Sequence, residues 1–275
     1  MVSLARKLRR ENKTIGFVPT MGALHNGHLS LVKEARQMCD IVIVSIFVNP
    51  TQFNEQSDFE KYPRDLTSDA ALLTDYQVDY IFAPDAEEIY GENFSTFVYV
   101  ENLTENLEGA SRPGHFRGVA TVVTIFFNTI RPDFAFFGQK DAQQIAVIKR
   151  LTQDLGFDTE IVAMPVVREE SGLAMSSRNA RLNEDERQRA SIIYRALKEA
   201  KQAVKNGERN ALKISEMVAQ IIETEPLAKI DYITVVNNEI LDPVEKIAES
   251  EVLLAVAVDF GDVRLIDNVI LNKRQ

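Results

Sequence analysis

Three histidines occur in this 275-residue chain, and two of them stand three positions apart in Pro19-Thr20-Met21-Gly22-Ala23-Leu24-His25-Asn26-Gly27-His28. The run follows a short apolar segment, 14–18, and leads into an amphipathic one, 29–38. That order predicts a strand, a glycine turn and a helix start. The histidines could be helix caps without a function, but the chemistry better suits a nucleotide phosphate chain. Glycines admit close backbone approach, a helix N-terminus offers free N–H groups at the positive end of its dipole, and imidazoles add donors. Zinc is disfavoured, since there is no HExxH pattern and the nearest downstream acid is Glu34. A GxxxxGK[ST] loop is also absent, which removes P-loop chemistry.

Four further segments carry reactive residue types. Phe47-Val48-Asn49-Pro50-Thr51-Gln52-Phe53 closes the apolar run 41–48, and Tyr62-Pro63-Arg64 follows it. Asn-Pro starts turns, while Gln52 brings a donor and an acceptor suited to the hydroxyl or carboxylate of a small organic acid. The segment from Glu108 to Gly118 holds Arg112, His115 and Arg117, and reads as a surface loop or as a lid or wall facing an anion. Phe137-Gly138-Gln139-Lys140-Asp141-Ala142-Gln143-Gln144 repeats the strand–glycine–helix order. There Gly138 admits a nucleotide and Lys140 charges a phosphate site. Asp141 caps the helix or meets a ribose or magnesium, and Gln144 shares a face with both. Met175-Ser176-Ser177-Arg178-Asn179 sets two hydroxyls beside a guanidinium, a compact phosphate clamp.

These segments need strands and helices to hold them. The run 41–48 is β-branched and apolar on both faces, as in a covered parallel strand. Residues 64–76 read as a helix with Leu66, Ala70 and Leu73 on one stripe. Strands are predicted at 80–83, 134–137 and 158–162, and helices at 116–130 and 141–155. Repeated β-α-β units imply a Rossmann-like parallel sheet whose ligand crevice lies at the carboxyl ends of the strands. After Pro165 the pattern changes to helices at 184–205 and 212–223 and strands at 230–236, 252–259 and 263–266. The expected fold class is therefore α/β: a Rossmann-like parallel sheet domain over 1–166, and a smaller α+β C-terminal domain over 167–275 that covers the site.

Composition narrows the partners. Arg and Lys total 31 against 41 Asp and Glu, a formal charge of −10, which argues against broad nucleic-acid binding. No apolar run reaches the roughly 18 residues of a membrane span, and no secretory leader is visible; a cytoplasmic protein is expected. The single cysteine, Cys39, allows no intramolecular disulfide and is expected to pack as a small hydrophobe. No dedicated metal site is expected.

His25-Asn26-Gly27-His28 is similar to the HxGH signature of the nucleotidyltransferase superfamily, and Met175-Ser176-Ser177-Arg178 to its KMSKS-type loop, with Arg178 in place of a lysine. With all five segments in this order, and with Gly261-Asp262-Val263-Arg264-Leu265-Ile266-Asp267-Asn268 near the end, the chain resembles the pantoate–β-alanine ligase (pantothenate synthetase) family over nearly its whole length. It departs from that family's usual pattern at Gln139, where an acid is common, and at Thr51, where methionine is frequent.

The resemblance implies ATP-dependent condensation of pantoate with β-alanine through a pantoyl adenylate, releasing pyrophosphate and AMP. It implies Mg2+ carried with ATP as co-substrate, and a homodimer. It assigns catalysis to His28, His25, Lys140 and Arg178. ATP would meet Met21, Gly22, Ala23, Leu24, His25, Asn26, Gly27, His28, Gly138, Gln139, Lys140, Asp141, Val167, Met175, Ser176, Ser177 and Arg178. Gln52 and Gln144 would hold pantoate, and Gln52 would also touch β-alanine. Asn49, Tyr62, Arg112 and His115 are second-rank contributors. Two alternatives remain: another HxGH-type adenylyltransferase, and a non-catalytic nucleotide-binding protein. The glutamine pair speaks against the first, and the intact set of His25, His28, Lys140 and Arg178 against the second.

Overall fold

A run such as Ile41-Val42-Ile43-Val44 has no polar face to offer water, so it must sit inside a sheet covered on both sides. The computed structural model, which describes residues 1–248 and 250–272, places it there. The chain forms two units, one of Met1–Gly138 with Gln143–Pro165, the other of Gln139–Ala142 with Val166 onward.

The first unit runs α1 (Val2–Arg10), β1 (Ile15–Thr20), α2 (Asn26–Met38), β2 (Ile41–Ile46), a 3-10 turn (Pro50–Gln52), α3 (Gln56–Lys61), α4 (Leu66–Asp75), β3 (Tyr80–Phe82), α5 (Ala86–Ile89), α6 (Leu107–Ser111), α7 (His115–Ile130), β4 (Phe134–Gly138), α8 (Ala142–Asp154) and β5 (Glu160–Met164). Its five strands are all parallel, in the order β3-β2-β1-β4-β5. The chain builds outward from β1 on one side and then returns to build on the other. The switch point therefore lies between β1 and β4, and a doubly wound sheet binds ligands at the carboxyl ends beside its switch point. Met21–His28 follows β1, and Gly138 ends β4.

Phe17 on β1 is fully buried, with Phe126 and Phe127 of α7 edge-on to it at 5.9 and 6.5 Å. Such side chains each contribute about 1.5–3 kcal/mol of burial. Residues 121–127 thus serve the core, whereas 94–100 exposes Phe97 and Tyr99. Cys39 packs as expected: it is buried, and its thiol is pushed up to about 11 by burial.

The second unit contains a 3-10 turn at Gln139–Asp141, another at Ser177–Arg181, then α9 (Glu184–Arg189), α10 (Ile192–Lys205), α11 (Ala211–Ile222), β6 (Ala228–Asn237), β7 (Val252–Phe260) and β8 (Val263–Ile270). The three strands are antiparallel in that order, and a two-residue turn at Gly261-Asp262 joins the last pair. Ile193, Ala196, Leu197, Ala200 and Val204 form the inward stripe of α10 and share one core with Val218, Val256 and Val258.

Three expectations need correction. The single helix predicted over 184–205 is two helices. Ser191 Oγ donates to Gln188 O, and the ladder there tightens to i→i−3 bonds from Ser191 and Ile193, so the backbone competes with its own side chain. The stripe of α4 is not Leu66, Ala70 and Leu73. Leu66 is exposed, and the buried positions are Leu73 and an acid, Asp69. Residues 2–10, where no element is expected, form a helix that buries Ala5 and Leu8. Among the described residues, no helix is long and apolar enough to cross a membrane.

Candidate active site

The site begins where β1 ends. Thr20 Oγ1 donates to Ser45 O at 2.7 Å and accepts from Gly22 N at 3.2 Å. The chain then passes through left-handed backbone at Gly22 (φ +81°) and Ala23 (φ +50°). A Cβ at Gly22 would lie 2.8 Å from Asp69 Oδ2, so both conformation and space require glycine. Asp69 accepts from Ala23 N at 3.0 Å and from Leu24 N at 2.9 Å.

Helix α2 is capped by imidazoles. His25 Nδ1 accepts from Gly27 N at 3.1 Å; the His25 side chain also accepts from the His28 backbone N–H, and His28 Nδ1 accepts from His25 N at 3.4 Å, the two arms of a capping box. A backbone N–H can only donate, so each Nδ1 is the acceptor and a neutral ring carries its proton on Nε2. The rings lie side by side, 4.1 Å apart and tilted by 31°. In that tautomer each ring has its one N–H at Nε2. The expectation of free N–H groups at this helix start is narrowed, because those of His25, Gly27 and His28 are taken by the two imidazoles. Before the helix, Gly22, Ala23 and Leu24 likewise donate to side chains of the protein, Thr20 and Asp69.

Gln52 closes the 3-10 turn after β2, and its orientation is fixed by neighbours. Asn49 Nδ2 donates to Gln52 Oε1 at 3.1 Å and to Gly118 O at 3.2 Å. Asn49 Oδ1 accepts from Thr51 Oγ1 at 2.9 Å and from Tyr90 OH at 2.8 Å. Burial holds the Tyr90 phenol above its ordinary value, so it stays a donor. With its oxygen engaged, Gln52 donates through Nε2 to the Met21 thioether at 3.0 Å, a weak acceptor.

The main chain of Gln52 is held equally firmly. His115 Nδ1 lies 2.8 Å from Gln52 O, and Arg112 Nη2 donates to the same oxygen at 3.2 Å. Gly118 presses against Thr51 and Gln52, where an added Cβ would stand 2.6 Å from Thr51 O. The segment 108–118 is not a loop throughout: it comprises the end of α6, a short link at 112–114 and the start of α7. Its end is helix α7, braced on Gln52. Tyr62 is buried against Phe53, ring centroids 5.6 Å apart. On α8 the buried amide is Gln143, which donates to Leu103 O and Asn106 O, while Gln144 beside it is half-buried.

In the second unit Lys140 lies in the turn Gln139–Asp141, its Nζ 3.6 Å from Asp141. Asn268 on β8 fixes this turn by donating Nδ2 to Gln139 O and to Lys140 O, each at 2.9 Å. The neighbouring Asp267, fully buried, pairs with both Nη atoms of Arg168 at 2.5 and 3.0 Å. The guanidinium lies 3.7 Å over the Tyr194 ring. Val167 O accepts from Met175 N at 2.9 Å, closing the hairpin that leads to Ser176, Ser177 and Arg178. Ser176 Oγ caps the 3-10 turn through Arg178 N at 3.2 Å, and Asn179 Nδ2 ties it to Ala174 O at 3.0 Å. Met175, Ser176, Ser177 and Arg178 are half-buried.

The first unit thus gathers Met21, Gly22, Ala23, Leu24, His25, Asn26, Gly27 and His28 with Gln52 around Met21 and the end of β1, and Gly138 ends the adjacent strand. The second unit orders Lys140 and the 175–178 loop through β8 and Arg168. Asp69 and Tyr90 are absent from the sequence-based expectations, while Gln143 and Asn268 stand in quoted segments with no role assigned. Among the described residues no group of three or more His, Cys, Asp or Glu side chains is placed to hold a metal ion.

Comparison with known proteins follows this geometry. The family model described as pantoate-beta-alanine ligase matches residues 1–270. A pantothenate synthetase of Heliobacterium modesticaldum is 53% identical over 271 residues, 98% of this chain and 96% of that one. One from Carboxydothermus hydrogenoformans is 56% identical over 264 residues, 96% and 93% of the two chains. The crystal structure of pantothenate synthetase from Thermus thermophilus superposes with a TM-score of 0.92 at 43% identity, covering 98% of each chain. That of the pantoate-beta-alanine ligase from Francisella tularensis, complexed with beta-gamma ATP and beta-alanine, gives a TM-score of 0.80 at 36% identity, covering 98% and 95%.

Proposed function

The chain belongs to the pantoate–β-alanine ligase family, and we propose that its paired imidazoles and oriented amide make and use a pantoyl adenylate. It is an ATP-dependent acid–amine ligase. A carboxylate oxygen of pantoate attacks the α-phosphorus of ATP, and the bond to the bridging oxygen breaks as pyrophosphate leaves. The amine of β-alanine then attacks the acyl carbon. The carbon–oxygen bond to AMP breaks, the nitrogen loses a proton, and pantothenate and AMP depart.

Negative charge builds on the α-phosphate and the leaving pyrophosphate in the first step. Donors fixed before the reaction stabilise that charge most effectively. His25 and His28 supply them through Nε2, with His28 as the general acid. Gln52 directs Nε2 to the pantoate carboxylate or hydroxyl and also meets β-alanine; Gln144 is a second pantoate contact. Gly138, Gln139, Lys140 and Asp141 line the nucleotide, Lys140 neutralising phosphate charge. Val167, Met175, Ser176, Ser177 and Arg178 also serve ATP. Magnesium, a hard cation, would enter with ATP and would be held chiefly by phosphate oxygens. The acidic chain, at −10, fits small anionic substrates met by local donors rather than nucleic acid. We place the enzyme in the cytoplasm as a homodimer, with exposed Phe97 and Tyr99 as interface candidates.

The observation that carries this reading is the imidazole pair, with both Nδ1 atoms engaged by backbone N–H groups at the switch point of the sheet. The purified protein with ATP, magnesium, pantoate and β-alanine is expected to form AMP, and to release pyrophosphate without β-alanine but not without pantoate. AMP formation that ignores pantoate refutes the reading.

A further inference from the structure

Asp69 is a buried carboxylate that no step above employs, yet it reaches the reacting end of the turn through a short chain of bonds. It lies on α4, 4% exposed, one helical turn before Leu73, which is 1% exposed and anchors the helix in the core. Its Oδ2 accepts from Ala23 N and its Oδ1 from Leu24 N, so each oxygen holds one of two successive N–H groups. Those residues sit between left-handed Gly22 and Ala23 and the helix cap at His25. Left-handed backbone at a non-glycine residue persists only where its surroundings hold it.

The next N–H along the chain, that of His25, donates to His28 Nδ1 at 3.4 Å, already long for such a bond. A small displacement of Leu24 therefore breaks the contact that keeps the proton of His28 on Nε2.

We propose that Asp69 is a positioning residue for adenylate formation: it clamps the turn at Ala23 and Leu24 so that the backbone N–H of His25 stays on His28 Nδ1 and the ring proton of His28 stays on Nε2. This rests on the ligase reading. It assigns Asp69 to the first half-reaction alone, because pyrophosphate has already left when β-alanine attacks.

Asp69→Asn keeps the size of the side chain but sets an NH2 against one of the two backbone donors. Pantoate-dependent pyrophosphate release is expected to fall at least tenfold, while conversion of supplied pantoyl adenylate by β-alanine stays within twofold. The pH profile of the first step is expected to shift, because the tautomer of His28 is no longer fixed. Amide hydrogen exchange on the same sample is expected to show lost protection at Ala23 and Leu24 with β1 and the rest of α2 intact. Equal loss in both half-reactions, wild-type release of pyrophosphate, or loss of protection throughout the first unit would each overturn the proposal. If the wild-type enzyme releases no pyrophosphate with pantoate, the ligase reading fails and takes this one with it. An unaffected Asp69→Asn enzyme beside an active wild type overturns the positioning role alone.

Discussion

Gly118→Ala perturbs the pantoate side of the site without altering any side chain assigned to it. The added Cβ would stand 2.6 Å from Thr51 O, 2.7 Å from Thr51 C and 2.8 Å from Gln52 N, all main-chain atoms. Ordinary contact begins at 3.4 Å, so the segments must part by about 0.8 Å (3.4 less 2.6). Overpacking of this kind costs about 1–3 kcal/mol, and backbone against backbone belongs at the upper end. Alanine returns up to about 1 kcal/mol of helix propensity to α7. The net expectation is a loss of about 2 kcal/mol, a melting shift of roughly 4–8 °C at 2–4 °C per kcal/mol. Displacing Gln52 by nearly an ångström takes its amide out of reach of the pantoate carboxylate. Misplacement by about 1 Å costs on the order of a hundredfold in rate. The assay is pantoate-dependent pyrophosphate release, with kcat/KM for pantoate expected to fall 30- to 100-fold, on that same order, and KM for ATP little changed. Gly138→Ala is the control. Its Cβ would meet nothing within 4 Å, so stability is expected to hold while KM for ATP rises as a methyl enters space assigned to the nucleotide. Wild-type kcat/KM for pantoate in Gly118→Ala would refute the view that this close contact sets the position of Gln52.

Other expectations follow from single contacts. His28→Ala removes one arm of the capping box, lowering stability by about 0.5–2 kcal/mol. It should cut adenylate formation by about two to three powers of ten. Far-UV circular dichroism and pyrophosphate release check the two parts, and near-normal release removes His28 from the mechanism. Asn268→Asp turns a carboxylate onto Gln139 O and Lys140 O and should lower stability by about 3 kcal/mol, since buried groups left without partners cost about 1–3 kcal/mol each. Denaturant unfolding should show partial recovery at low pH, where a protonated carboxyl donates again. Cys39 is buried with its thiol at about 11, so at pH 8 about one thiol in a thousand is thiolate. Iodoacetamide should leave it unmodified in the native protein and alkylate it in denaturant.

The parts of this molecule legible in the sequence are those whose signal is local. The run 41–48 announces a covered strand, and the strand–glycine–helix order around His25 announces the turn that the structure contains. Gln52 stood out because it brings both a donor and an acceptor to the end of an apolar strand. Asp69 stayed hidden because an acid on a short helix reads as solvated. Its burial depends on N–H groups 45 and 46 residues earlier in the chain. The misread stripe of α4 has the same cause: Leu66 faces water so that Asp69 can face the turn. Sequence also could not tell which acceptors take the first N–H groups of α2. An imidazole is usually counted as a ligand for substrate, and here each one serves the backbone with one nitrogen. Asn268 lay within a recognised segment, but its hold on the Lys140 turn, 128 residues away in sequence, is visible only in the fold.

The central claim is that this chain joins pantoate to AMP through a carboxylate oxygen before the amine attacks. Pantoate labelled with 18O in its carboxylate, given to the enzyme with ATP, magnesium and β-alanine, tests that transfer directly by mass spectrometry of the AMP formed. The account predicts AMP bearing an oxygen from pantoate, in step with pantothenate. Unlabelled AMP alongside pantothenate would contradict it.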